Sequence, residues 1–149
     1  GEAVPSDLYR FADTTNETPS LSVNGQPIEI KLTAGYASVT REWKTNDTVE
    51  LNLPMPIRRV IASDRVQADR GRVAIQRGPM VYCVEWPDNP GAKVRSLALS
   101  DASKLTADFK ADLLGGVTVI KSEGSFTAIP YYAWANRGKG EMIVWMSRK

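Results

Sequence analysis

The chain has 149 residues, 42% of them hydrophobic, which suits one ordinary domain or two very small ones and is enough to bury a core. It contains no histidine and a single cysteine, Cys83; within these residues that excludes a Ser-His-Asp or Cys-His site, a histidine base, a His-ligated or multi-Cys zinc site, and an intrachain disulfide. Net charge is +2 but unevenly placed: residues 1–56 hold 4 Lys/Arg against 8 Asp/Glu and residues 57–149 hold 15 against 9, so the halves stand at −4 and +6.

The opening GEAVPSDL has no initiator Met and no basic stretch ahead of an apolar run, so no signal peptide is read within these residues and the chain is expected to be a piece of something longer. No apolar run approaches the roughly 20 residues of a membrane helix, and no membrane partner is expected. In SLSVNGQPIEIKL, Asn24-Gly25 separates the alternating Leu21 and Val23 from Ile28, Ile30 and Leu32; Asn-Gly tolerates the positive φ of a tight turn, which predicts a hairpin. GYASVTREW then places Ala37, Val39, Arg41 and Trp43 on one face, and TVELNLP is expected to turn Val49, Leu51 and Leu53 inward. Pro54 and Pro56 end that strand and mark a seam near 54–58, dividing 1–56 from 57–149.

Beyond the seam come GRVAIQ and MVYCVEW, parted by Arg77-Gly78-Pro79, then VRSLALS and VTVIKS. The polar stretch between these last two, residues 101–114, reads equally as a loop or one short helix. In TAIPYYAWANRGKGEMIVWM, the Gly-rich loop Asn136 to Gly140 is expected to join two aromatic strands as a hairpin. Short alternating strands with turn signals between them predict an all-β, antiparallel, jelly-roll-like sandwich.

Cys83 lacks a neighbouring base that would lower its thiol pKa, and a strand places it on one face with Val81 and Glu85, opposite Met80, Tyr82, Val84 and Trp86; a buried structural thiol is the expectation. Gly78 and Pro79 are read as structural, forming the bend into that strand. Asp64 with Asp69, or Glu85 with Asp88, are the carboxylate pairs a glycosidase mechanism could use, but neither sits in a recognisable signature. Trp and Tyr rings stack on sugars; the pool is Trp43, Trp86, Tyr131, Tyr132, Trp134 and Trp145, with Trp43, Trp86, Tyr132 and Trp134 the candidates for carbohydrate contact, and because alternation sets Tyr131 opposite Tyr132 and Trp134, part of this pool is expected in the core. Six arginines fall between Arg58 and Arg77, but Asp64 and Asp69 interrupt them and no nucleic-acid-binding pattern accompanies them; solvated charge and contacts to the acidic half are expected, not nucleic acid. NRGKG is followed by a strand where a phosphate cradle needs a helix, and Asn16-Glu17-Thr18 and Asn46-Asp47-Thr48 match the glycosylation sequon.

Together, SVNGQPI, GYASVTREWKTNDTVELNLPM, ADRGRVAIQRGPMVYCVEWPDN and AIPYYAWANRGKGEMIVWM resemble, in order from about Leu8 to Met146, the C-terminal, non-catalytic part of glycoside hydrolase family 127, the β-L-arabinofuranosidase family. The resemblance implies an upstream (α/α)6 barrel that carries catalysis through a cysteine nucleophile beside a zinc ion held by further cysteines and a glutamate, followed by β-sandwich regions. None of those motifs occurs in this chain; Cys83 matches the RGPMVYC strand of the C-terminal sandwich, so no catalytic residue, metal ligand or cofactor is expected here. Residues 1–56 then correspond to a partial sandwich and 57–149 to a fuller one, together an accessory module of a bacterial hydrolase of arabinofuranosyl-type plant glycans. The barrel of the same parent chain is the expected partner; a homodimer and a carbohydrate ligand remain open as further partners, and a periplasmic or secreted setting is expected over a cytoplasmic one.

Overall fold

The computed structural model describes residues 7–149; the opening GEAVPS lies outside them. The fold is all-β: β1 (Tyr9–Phe11), β2 (Ser20–Val23), β3 (Gln26–Ile28), β4 (Leu32–Thr33), β5 (Tyr36–Ala37), β6 (Val49–Asn52), β7 (Ile57–Ala62), β8 (Arg72–Arg77), β9 (Met80–Glu85), β10 (Ala98–Leu99), β11 (Leu105–Lys110), β12 (Val117–Ser122), β13 (Phe126–Pro130), β14 (Met142–Ile143) and β15 (Met146–Arg148), with short 3-10 turns between some of them. The chain divides into two compact units, Thr15–Met55 and a second made of residues 7–14 with Pro56–Lys149. No helix among the described residues is long and apolar enough to cross a membrane.

In the first unit, β2 lies between β3 and β6 in an antiparallel sheet, and β4 and β5 form a separate small hairpin. Asn24 and Gly25 take φ of 51° and 76° in the two-residue turn that pairs Val23 with Gln26, the positive angles that Asn-Gly permits. The Asn24 side chain ties the turn to the loop before β6: its amide donates to Asp47 Oδ1 (2.7 Å), and its oxygen accepts from the Thr48 N–H (2.8 Å). The inward turn expected of Val49, Leu51 and Leu53 is not found; they are 51%, 58% and 60% exposed. Leu51 and Val49 do share a face with their cross-strand partners Leu21 and Val23, but β6 is the edge strand and only the central β2 is covered. GYASVTREW likewise contributes only the two residues of β5, and Trp43 is exposed.

The second unit is organised around one large sheet in the order β1-β7-β8-β9-β13-β12-β11, antiparallel throughout. The β8–β9 hairpin closes Arg77 onto Met80 through Gly78 and Pro79, with φ +54° at Gly78. Beyond the Ile75–Tyr82 pair the hairpin opens as a fork, and the C-terminal residues fill it: β14 pairs with β9 and β15 pairs with β8, while β15 also takes β10 in parallel. Alternation buries both faces of the central strands. Tyr82, Val84, Ile120, Phe126 and Ala128 join Ile61, Val73, Ile75, Val94, Leu99 and Met146 in the larger core; Cys83, Val117, Val119 and Ile129 form a smaller one on the opposite face with Ala133, Leu113 and Met142.

Two expectations are overturned here. Within residues 101–114, Leu105–Lys110 is neither loop nor helix but the strand β11, because each of its residues from Leu105 to Lys110 pairs in register with β12, a distant partner that local periodicity cannot reveal. The C-terminal hairpin is absent as well. β13 and β14 flank opposite edges of β9, with Ala128 and Ile143 both paired to Val84, since Pro130 closes β13 and Tyr131–Ala133 turn as a 3-10 segment that carries the chain away.

Candidate functional site

The densest polar construction lies at the end of β9. Glu85, on the same face of the strand as Cys83, is only 2% exposed, so its charge must be met inside the protein. Arg137 meets it: Nη2 donates to Glu85 Oε2 at 2.7 Å, and the same guanidinium grips Asp88 in a bidentate pair, with Nη1 donating to Oδ1 at 2.7 Å. Glu85 Oε1 accepts from the Ala135 N–H (2.9 Å), and Arg137 is held more firmly protonated than an ordinary arginine, by Asp88 ahead of Glu85 and against the cost of burial. Asn89 extends the network: its amide donates to the carbonyls of Glu85 (2.8 Å) and Thr127 (2.9 Å), and its oxygen accepts from the Thr127 N–H (2.8 Å). The carboxylates singled out by sequence spacing thus come together, but around a guanidinium that occupies both. A glycosidase pair needs one acid free to give up a proton and one base free to take it, and these oxygens are already committed as acceptors. Arg137 and Asn89 are missed by sequence reasoning; the only local signal is an arginine in a Gly-rich loop, and nothing in the sequence ties it to carboxylates about 50 residues upstream.

Cys83 is buried between these charges and the smaller core. Desolvation, reinforced by the negative charges of Glu85 and Asp88, pushes its thiol up to about 12 from an ordinary 9.0. A thiol so protonated is a poor nucleophile at neutral pH. Among the described residues no three Cys, Asp or Glu side chains gather as a metal site, and the donor set here does not fit zinc.

The aromatic candidates are partly exposed. Trp86, Tyr131, Tyr132 and Trp134 in the second unit and Trp43 in the first are each at least two-fifths exposed, so the inward turn expected of part of the aromatic set is not found among these five, while Trp145 is half-buried and stacks on Tyr9. Residues 131–133 form a 3-10 turn in which strand alternation does not hold, and Ala133 is the buried member. Tyr131 stacks on Trp134 with ring centroids 6.2 Å apart, and Tyr132 points outward beside them in the same turn. Trp86 lies against the main chain of Gly140: a Cβ at that position would sit 1.8 Å from the indole, so only glycine fits. Arg41 caps Trp43, its guanidinium carbon 5.3 Å from the ring centroid. Two arginines of the run are paired and largely buried: Arg58 donates to Asp13 at 3.1 Å and lies 3.7 Å from the centroid of Phe11, and Arg59 donates to the Ser103 carbonyl.

Near the Arg137 network, a cleft of about 550 Å³ opens between Asp88, Lys110, Asp112, Leu113, Lys121 and Thr127, and a second of about 440 Å³ shares Asp88, Lys121 and Thr127 and continues to the β12–β13 turn. Three of its charged side chains, Asp88, Lys110 and Lys121, are paired. Lys110 and Lys121 both reach Asp108 Oδ2 at 2.8 Å and hold that carboxyl down at about 2, and Asp88 is engaged by Arg137. The surface offers mixed hydrogen-bonding groups, with Asp88, Lys110 and Lys121 already committed to partners.

Two family models match the chain in succession. The family model for the GH127 middle domain of β-L-arabinofuranosidase matches residues 10–55, and that for the glycoside hydrolase family 127 C-terminal domain matches residues 57–147. A non-reducing end β-L-arabinofuranosidase of Bifidobacterium longum subsp. longum is 34% identical over an alignment covering 87% of this chain and 24% of that protein. Among solved structures, a GH127 β-arabinofuranosidase superposes with TM-score 0.90 at 40% identity, covering 98% of this chain and 25% of its own. A GH127 β-L-arabinofuranosidase from Geobacillus stearothermophilus T6 gives 0.81 at 40% identity, covering 89% and 25%. The chain therefore spans about a quarter of the length of these relatives.

Proposed function

The chain belongs to glycoside hydrolase family 127, and from that membership we propose that its residues are an accessory β-sandwich region, without catalysis of their own, of a bacterial enzyme acting on arabinofuranosyl-type glycans. The observation that carries this is the end-to-end match of a middle-domain and a C-terminal-domain model to a chain a quarter the length of its relatives. The buried, protonated Cys83 and the carboxylates locked on Arg137 support it. Zinc and the reacting cysteine belong, on this proposal, to an (α/α)6 barrel elsewhere in the parent polypeptide, which this region buttresses.

The test is turnover of a β-L-arabinofuranoside by the 149-residue chain and by the full-length parent, each with zinc and after chelation. Turnover by the parent alone is expected. Zinc-dependent turnover by the 149-residue chain contradicts the proposal.

A second reading, direct carbohydrate contact, is favoured by the outward-facing Trp86, Tyr132 and Trp134. Calorimetric titration with arabinan-type oligosaccharides decides it: heat that is lost in Tyr132→Ala supports the reading, and no heat at millimolar ligand rejects it.

A further inference from the structure

The turn that joins β2 to β3 is gripped by the loop before β6, and the grip falls on one side chain. Asn24 donates its main-chain N–H to the Thr48 carbonyl at 2.9 Å, and its side-chain oxygen accepts from the Thr48 N–H at 2.8 Å, so it holds Thr48 from both sides. Its amide nitrogen donates to Asp47 Oδ1 at 2.7 Å, while Asp47 Oδ2 accepts from the Lys44 N–H at 2.9 Å. The bond from Asn24, ahead of that from Lys44, holds the Asp47 carboxyl below the usual carboxylate range, so the acceptor is ionised and the bond is charge-assisted. Asn24 and Gly25 are nevertheless exposed, and water reaches both. Asn24 is also the one asparagine followed by a residue without a side chain; the others precede Glu17, Asp47, Leu53, Pro90 and Arg137. The main-chain nitrogen next to its carboxamide is therefore unhindered.

We propose that Asn24 is a self-modifying site, converted to aspartate and isoaspartate by the turn itself whenever this clamp opens. The Gly25 main-chain nitrogen gives its proton to solvent and bonds to Asn24 Cγ; the Cγ–Nδ2 bond breaks, and the side-chain nitrogen leaves as ammonia. Water then opens the cyclic imide, at Cγ to give aspartate or at the main-chain carbonyl of residue 24 to give isoaspartate. In the closed turn both Oδ1 and Nδ2 are bonded, which fixes Cγ and holds the leaving nitrogen in place. Opening is accessible because Leu21 and Val23 are the buried apolar residues of Thr15–Met55, a small core to keep the clamp shut. Either product undoes the clamp. Aspartate has no donor for Asp47 and sets a second carboxylate against it, and isoaspartate also adds a carbon to the main chain of the two-residue turn that pairs Val23 with Gln26. The conversion consumes only water and holds whatever this region does for its parent enzyme.

Peptide mapping of the 149-residue chain, incubated in mildly alkaline buffer with and without urea, tests it. Position 24 should convert while the other asparagines stay intact, and about tenfold or more slowly in the folded chain than in urea. No conversion in urea, or equal rates in the two conditions, overturns the proposal. Asp47→Ala should raise the folded-chain rate about tenfold, read under conditions where the Glu50 amide, in the bonded register with Ser22, stays protected. An unmoved rate overturns the proposal as well. Asn24→Asp reproduces the first product: its Glu50 amide should exchange about tenfold faster than in the native chain while Val84 is unchanged. An unchanged Glu50 rate would show that the clamp survives the conversion and contradicts its proposed consequence.

Discussion

Thr15–Met55 and Pro56–Lys149 are written in the same alphabet of alternating apolar and polar residues, yet they differ in what that alternation achieves. In the larger unit β9, β12 and β13 each have a neighbour on both edges, and packing covers both of their faces; in the smaller, β2 alone is flanked on both sides, and Val49, Leu51 and Leu53 lie open. Alternation selects which side chains share a face. Whether that face is dry depends on how many strands and loops the chain brings to cover it, which is why a unit with three paired strands and a short hairpin can be well formed locally and still lack a core.

The contrast can be broken from the side of the larger unit. Arg137→Met leaves Glu85 buried with no counter-charge and should cost about 3–5 kcal/mol in denaturant unfolding of the 149-residue chain. A loss under about 1 kcal/mol would mean that Glu85 finds water, and that the second face of the sheet is not dry. Gly140→Ala drives a methyl into the Trp86 ring and should cost roughly 1–3 kcal/mol, with a red shift of tryptophan emission as the indole leaves its seat. Unchanged emission would show that Trp86 does not pack there.

Cys83 sharpens the same comparison through pH. Its folded pKa of about 12 lies above the ordinary 9.0, so the folded state keeps a proton that the unfolded state loses. Its contribution is therefore complete below pH 9 and is lost as pH rises from 9 toward 12. Stability of the native chain should fall more steeply over that window than that of Cys83→Ala, and the thiol should react with a labelling reagent only once the protein is denatured. Parallel pH profiles for the two proteins would contradict a buried thiol. The smallest effect is expected in the first unit: Leu51→Ala, which removes an exposed side chain, should change the stability of the 149-residue chain by less than about 0.5 kcal/mol.

What was legible in the sequence was local. Asn24-Gly25 announces its turn because positive φ at two successive residues is a property of those residues, and MVYCVE announces its two faces because a strand's alternation needs no partner to be read. Residues 105–110 do not announce a strand, because Asp108, Lys110 and Phe109 gain their conformation from pairing with Val119, Val117 and Thr118. The polar centre was half visible. Glu85 and Asp88 stand three apart and draw attention, whereas Arg137 reaches them only after the chain has crossed β12, β13 and the 3-10 turn at Tyr131–Ala133. Alternation likewise marked Val49, Leu51 and Leu53 as one apolar face but carried no information on what covers it.

The most direct measurement is native-state hydrogen exchange along the whole 149-residue chain. Amides of Ile75, Cys83, Val84 and Ile129, in the doubly covered strands, should exchange only through global unfolding, while the bonded amides of the smaller sheet, such as those of Leu21, Val23 and Glu50, should exchange through a separate opening of much lower free energy. A single common opening free energy for both sets would contradict the distinction between a unit with its own core and a unit without one.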